Sequence, residues 1–340
     1  MVDPTVGFCL LLVAGMGSAS FTVPMKFNRS WAWENTWLVW SVLALIFLPV
    51  LVTAFTIPQI GQVYAEIGTS TVLIAGALGV GWGVAQVLFG LAVESIGIAL
   101  SFSIVPGMSV ALGSLIPLFF LHPDRILSRS GIIVILGVGL AVLGVIVCAI
   151  AGGRKHGLQH DVPALGKPSF SRGLLIAICS GSGAAMVNFG LAFGAPLIKI
   201  ARDHGADPVW APNVVWLPVL LAGSIPNIFY CLHLIRRNRT DRRFLEPGRS
   251  ASLLRTIVMA VVWFGGISLY GVASGMLGSW GPIVGWPLFM TTVVVMAGIM
   301  GMATGEWKNT GSQPLRIQIG GMAVLIVAIF VLWNASRSIS

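Results

Sequence analysis

The chain has 340 residues, of which 56% are hydrophobic and only 9% charged, and its mean hydropathy is +0.92. With 11 carboxylates and 20 basic groups it cannot build the exterior of a water-soluble fold, in which about 25% of residues carry charge, and disorder needs the opposite composition. The net charge of +9 lies mostly in short segments between apolar runs, which speaks for orientation in a lipid bilayer and against a nucleic-acid partner.

A helical crossing of the hydrocarbon core takes about 20 mostly apolar residues. Such runs occur ten times, at 5–25, 34–56, 70–92, 97–121, 130–152, 172–199, 210–235, 254–277, 282–304 and 314–334. They are continuously apolar and do not alternate, which excludes a barrel. The expected fold is an all-α integral membrane protein of ten transmembrane helices. Asp3 precedes the first run and Lys26 and Arg29 follow it. A cleavable leader has the reverse charge order, so a retained span is expected. Cys9, Cys148, Cys179 and Cys231 are scattered through apolar stretches and read as small buried hydrophobes, not a disulfide framework.

Ten spans put both termini on one side. That side carries five Lys and Arg (Arg125, Arg129, Lys199, Arg202, Arg337), and the other carries fifteen, seven of them between Arg236 and Arg255. The positive-inside rule makes the richer side cytoplasmic and both termini external. The polar segment 153–171 separates a first set of five spans, 1–152, from a second, 172–340. Between the sets, an offset of 181 carries Trp82 onto Trp263, Gly90 onto Gly271, Gly97 onto Gly278 and Pro106 onto Pro287. An offset of 166 carries Gly15, Gly17 and Ala19 onto Gly181, Gly183 and Ala185, and one of 177 carries Trp33 onto Trp210 and Pro49 onto Pro226. An odd number of spans per half requires two inverted five-helix repeats, a transporter design with its substrate site near the midplane.

Two segments are distinctive: GSASFTVPMKFNRSWAWENTW (Gly17–Trp37), with its W-x-W-E-x-x-W core, and GEWKNTGSQP (Gly305–Pro314). With GADPVW (Gly205–Trp210) and the ten spans, they resemble the bacterial L-rhamnose–proton symporters, a branch of the drug/metabolite transporter superfamily. The resemblance implies an inner-membrane carrier that takes up a 6-deoxy sugar with a proton as coupling ion, without a cofactor. It departs from the family pattern at Val84, Ala85 and Gln86, where the family has polar positions. That departure bears on which sugar is carried.

A sugar needs hydroxyl partners and an aromatic face. Trp31, Trp33 and Trp307, near loop ends, fit the interfacial belt of membrane proteins. Trp37 and Trp40 give span two an aromatic face, and Trp82 and Trp263 lie well inside their spans. Gln86 stands one turn beyond Trp82 on a stripe with Gly79, Gly83 and Gly90, glycines that equally suit close helix packing. Asn213, Trp216, Gly223 and Asn227 share one face of span seven. Ser18, Thr22, Asn188 and Tyr270 complete the candidate sugar-binding set; each polar member equally suits a hydrogen bond to a neighbouring helix. Pro106, Pro117, Pro218 and Pro287 are expected to bend moving spans.

The carboxylates stand at span ends. Glu34, inside the best-matched motif and flanked by Trp33 and Trp37, is the candidate proton carrier, with Glu94 and His233 as alternatives and Lys26 or Arg29 as charge partners. An electrostatic role at the N-terminus of span two is the plainer account of the same residue. His156, His160 and Asp161 have metal-like spacing in a flexible composition, and no metal is expected. Asp203 and Asp207 have the spacing of magnesium-dependent membrane enzymes, but a second acidic motif is missing. Asn28-Arg29-Ser30 and Asn238-Arg239-Thr240 match glycosylation triplets on the expected cytoplasmic side. The expected function is proton-coupled monosaccharide uptake. Another small polar metabolite such as a ureide, a membrane enzyme and a sugar sensor stay open as alternatives, as does the oligomeric state.

Overall fold

The computed structural model of the protein describes residues 4–28, 30–157, 170–305, 307–308 and 310–337. Arg29, Glu306, His160, Asp161 and most of the 153–171 segment lie outside the described residues. Ten helices are long and apolar enough to cross a membrane: Thr5–Phe27, Trp33–Thr56, Thr69–Ile96, Leu100–Leu121, Arg129–Lys155, Ser171–Asp203, Asn213–Asn238, Arg249–Met276, Gly278–Ala303 and Ser312–Ala335. Here they are spans one to ten. Among the described residues there is no strand.

Span one packs against spans eight and nine, and span six against three and four. Span seven lies on spans two and three, span five on four and ten, and span nine on four and ten. The rings of Phe8 and Trp333, 4.3 Å apart, bring the N-terminal end of span one and the C-terminal end of span ten together on one face. On that terminal face His204 bridges Gln59 at 3.2 Å and Glu66 at 2.7 Å. On the opposite, arginine-rich face Lys26 donates to Thr304, Ser30 to the Pro247 carbonyl and Asn35 to the Thr240 carbonyl.

Lipid tails are as apolar as leucine, so association of helices depends on close packing and polar contacts. The tightest approach is between spans three and seven. A Cβ on Gly79 would stand 2.0 Å from the Val219 carbonyl oxygen, and one on Gly83 2.3 Å from that of Gly223. Gly79 and Gly83 of the span-three stripe therefore form a backbone-to-backbone seam, and Gly90 lies outside it.

Three features depart from uninterrupted apolar runs. Span two contains a π-helical turn at Leu43–Phe47, where the Leu48 N–H returns to the Leu43 carbonyl. Pro49 follows, with no N–H to give to Leu45, so the wider turn comes just before it. Span six is in three pieces, Phe170–Ala184, Met186–Phe193 and Ala195–Asp203. Its last piece restarts with Pro196 in the first turn, where a missing N–H costs nothing. A short helix, Ile60–Ile67, joins spans two and three, buries Val63 and is tied down by Tyr64, whose hydroxyl donates to the Val214 carbonyl at 2.7 Å. Pro106, Pro117, Pro218 and Pro287 lie inside continuous helices, so the helix breaks occur elsewhere.

Gly79→Ala is expected to lower stability by about 1–3 kcal/mol, the usual cost of forcing an extra methyl into a packed interior. Gly90→Ala, whose Cβ meets nothing within 4 Å, is expected to be neutral or slightly stabilising because alanine has the better helix propensity. Thermal unfolding of both variants in detergent checks the pair.

Candidate functional site

A chamber of about 250 Å³ opens in the middle of the bundle. Its wall comes from spans one, three and four and from spans six, eight and nine. Trp82 and Trp263 form one side, with ring centroids 5.8 Å apart and planes 24° apart. Trp82 is fixed from behind: its ring lies where a Cβ on Gly223 would be, 2.8 Å from Cε3. Trp286 is held by a bond from its Nε1 to the Ser109 carbonyl at 2.9 Å, beside Gly113, whose missing side chain leaves room for the indole.

Three serines reach the chamber. Ser180 donates to the Ala85 carbonyl at 2.8 Å. The hydroxyls of Ser18 and Ser109, which also line it, are buried and have no hydrogen-bond partner among the described residues. An unpaired buried hydroxyl costs about 1–3 kcal/mol, so a polar ligand in the chamber gains from either side chain turning to meet it. Gln86 adds an amide, and Phe21, Phe89, Val187, Ile267 and Met290 supply apolar surface. An apolar cleft with a few convergent polar groups is the usual form of a small-molecule site.

The chamber follows the offsets found in the sequence. At 181, Trp82 pairs with Trp263, Gln86 with Ile267, Val105 with Trp286 and Ser109 with Met290; at 166, Ser18 pairs with Ala184 and Phe21 with Val187. Both members of every pair line the chamber.

Toward the terminal face lies a second cavity, a vestibule of about 470 Å³ that includes His122, Lys199, Gly271 and Ser274. Ile267 faces the chamber and Gly271 the vestibule, and Tyr270 stands between them on span eight. Tyr270, Asn188 and Trp216 are fully buried, and Tyr270 packs on Trp286 and Phe289 at 5.5 and 4.9 Å. The Tyr270 hydroxyl donates to Asn188 Oδ1, while Asn188 Nδ2 donates to the carbonyls of Gly113 and Pro282. This layer is the floor of the vestibule and the roof of the chamber.

Toward the arginine-rich face an aromatic file leads away from the chamber. Trp263 meets Trp40 edge-on at 5.1 Å, Trp40 meets Trp37 at 4.6 Å, and Trp37 stacks on the half-exposed Trp33 at 5.1 Å. Trp37 Nε1 donates to Asn227 Oδ1. Glu34 lies beside this file and is the one buried acid among the described residues, 6% exposed. Its Oε1 accepts from Asn238 Nδ2 at 3.0 Å and from Thr240 Oγ1 at 2.9 Å. The glycosylation-like triplet at 238–240 is thus a grip on Glu34, with Arg239 between them in the left-handed conformation. Glu94 and His233 are exposed.

The L-rhamnose-proton symport protein family matches residues 3–335. The chain belongs to that family. Curated relatives named L-rhamnose-proton symporter, from Salmonella typhimurium, Salmonella enteritidis and Salmonella newport, are each 24% identical over 334 residues, covering 95% of this chain and 96% of theirs. As a member of the L-rhamnose-proton symport family the chain is a transporter and not an enzyme. The acids that suggested a magnesium enzyme have local tasks: Asp203 pairs with Lys199, and Asp207 accepts from the Val209 N–H.

Of the sequence candidates, Ser18, Trp82, Gln86 and Trp263 line the chamber. Asn188, Trp216 and Tyr270 belong to the layer above it, and Asn213 accepts from Ser268 nearby. Trp37 and Trp40 belong to the aromatic file, and Thr22 ends span one's α-helix as the cap of a 3-10 turn. Trp31, expected at the interface, is buried against Phe244. Ser109, Ser180 and Trp286 were missed. The 181 offset could have found Trp286 and Ser109, because both follow from the Pro106–Pro287 match by counting along span nine and span four.

Tyr270→Phe removes the donor from Asn188 Oδ1 and leaves that oxygen buried. A loss of about 1–3 kcal/mol is expected, read as a lowered unfolding temperature. The half-buried Tyr230→Phe change serves as the control.

Proposed function

We propose that the protein carries L-rhamnose, or a closely related 6-deoxy sugar, inward across a bacterial inner membrane together with a proton. The observation that carries this reading is the chamber: a tryptophan pair and two unpartnered serine hydroxyls enclose a space for one sugar ring in a chain of the rhamnose symport family. The volume is just under the ~300–1,000 Å³ of sites for larger, drug-sized ligands. Tryptophan faces cover the C–H surface of the ring, and Ser18, Ser109 and Gln86 take its hydroxyls.

The two halves act as inverted repeats in alternating access. The packing supports this, because adding five to each span number turns the contacts of span one with eight and nine into those of span six with three and four. The Tyr270–Asn188 layer separates the chamber from the outside, and the termini are external. Coupling passes through Glu34. Hydrogen bonds to an ionised carboxylate are roughly twice as strong as neutral ones, so a proton on Glu34 loosens the grip of Asn238 and Thr240 and frees the start of span two from the loop between spans seven and eight.

The test is accumulation of L-rhamnose in proteoliposomes under an inward proton gradient, with no accumulation once a protonophore is added. Failure of L-rhamnose to compete with any transported solute refutes the substrate. Ser18→Ala and Ser109→Ala are each expected to raise Kd about 2- to 10-fold, the equivalent of a net hydrogen bond, and Trp82→Ala or Trp263→Ala to weaken binding in a folded protein. Glu34→Gln keeps an acceptor in the grip and removes the titration, so it is expected to abolish accumulation and retain sugar exchange; gradient-driven accumulation by this variant takes the role away from Glu34. Cysteines placed within 236–255 are expected to react only from the cytoplasm, and those at either terminus only from outside.

A further inference from the structure

The chamber is built from equivalent positions in the two halves, but the equivalent residues differ in one consistent way. Where the first half has Ser18, Gln86 and Ser109, the second has Ala184, Ile267 and Met290. At these three positions every polar group is on one side and every replacement on the other is apolar. Two polar groups in the second half's part of the wall are already engaged: Ser180 donates to the Ala85 carbonyl and Trp286 Nε1 to the Ser109 carbonyl. The hydroxyls of Ser18 and Ser109 have no such partner among the described residues.

We infer that this polarity difference orients the sugar and that Ile267 and Met290 are the residues that select a methyl at C6. The inference rests on the chamber being the sugar site. A 6-deoxy hexose has one hydroxyl-rich edge and one methyl corner. With its hydroxyls turned to Ser18, Gln86 and Ser109, the remaining corner meets Ile267 and Met290. Turning the sugar over would leave the serine hydroxyls unpaired and press sugar hydroxyls onto side chains that cannot bond them, and both errors are costly in a buried site. A hexose with CH₂OH in place of the methyl places one unpaired hydroxyl against the apolar wall. Such a pocket rejects an added hydroxyl only modestly, by about 100-fold.

Equivalence between the halves supplies the substitutions. Met290→Ser gives span nine the residue that span four carries at 109, and Ile267→Gln gives span eight the residue that span three carries at 86. Met290 is partly exposed and is the safer change; Ile267 is 4% exposed and provides the second variant. Purified, folded protein is titrated with L-rhamnose and with L-mannose, its 6-hydroxy counterpart, and the ratio of the two Kd values is read. Wild type is expected to prefer L-rhamnose by about 100-fold. In Met290→Ser or Ile267→Gln the ratio is expected to fall to within 10-fold or to invert, with L-mannose binding tighter than to wild type. Met290→Leu is expected to keep the preference, and Gln86→Ile to weaken both sugars together. If Met290→Ser and Ile267→Gln change both affinities by the same factor while Ser109→Ala still weakens binding, the methyl-seat assignment is overturned and the chamber stands as the sugar site. If none of these variants nor Ser109→Ala changes either Kd, the chamber itself is not the site, and the inference falls with it.

Discussion

Spans three and seven approach until main chain meets main chain, and the centre of the protein is arranged around that contact. Gly79 and Gly83 have no side chain because the Val219 and Gly223 carbonyls occupy the place of one. Gly223 in turn leaves the space that the Trp82 ring fills. With Trp82 fixed against span seven, its partner Trp263 stacks on it from span eight, and the chamber forms on their free side. In a bilayer, where hydrophobic burial gives no net drive for helices to associate, such a seam is how position is specified. A larger residue in the seam would change the attitude of an indole at the chamber wall.

Much of this was legible in the sequence because the membrane imposes strong rules. The ten spans follow from length and hydropathy alone, and the offsets of 181 and 166 relate residues that the fold brings to one chamber. Trp82, Trp263, Gln86 and Ser18 were legible because an amide, a hydroxyl or an unusually deep indole stands out in an apolar run. Ser109 and Ser180 were not, since serine within a span most often bonds its own helix, as Ser95 and Ser101 do here. Asn188 and Tyr270 look like ligand-binding residues in the sequence, yet they are engaged by each other and by two carbonyls. Local sequence cannot distinguish a polar group that is available from one already satisfied by a helix 75 or more residues away.

Buried polar groups tie the bundle together on both sides of the chamber. The layer roofing the chamber couples spans four, six, eight and nine through Asn188, which meets span four at Gly113, span eight at Tyr270 and span nine at Pro282. At the chamber level two serine hydroxyls are left over. At the arginine-rich end Glu34 accepts from Asn238 and Thr240, and Asn35 donates to the Thr240 carbonyl. Among the described residues, buried atoms without a partner also occur away from the chamber, at Trp216 Nε1, Asn213 Nδ2 and Ser252 Oγ, so it is the cavity beside Ser18 and Ser109, and not the missing partner alone, that singles out those two serines.

The proposed proton site and the proposed sugar site do not share a residue, and this limits how they can be coupled. Glu34 does not line the chamber, so it does not act on the sugar by direct contact. In the proposed mechanism it acts on the junction between the start of span two and the segment ending span seven, to which it is bonded through Asn238 and Thr240. Both of those spans reach the chamber's supports: span two through Trp40 on Trp263, span seven through Gly223 behind Trp82. Loosening the junction therefore releases both tryptophans of the stacked pair from opposite sides. In the proposed mechanism coupling is a shift between two arrangements of packed helices, each favoured by a different ligand, with the stacked pair as the element that both ligands bias.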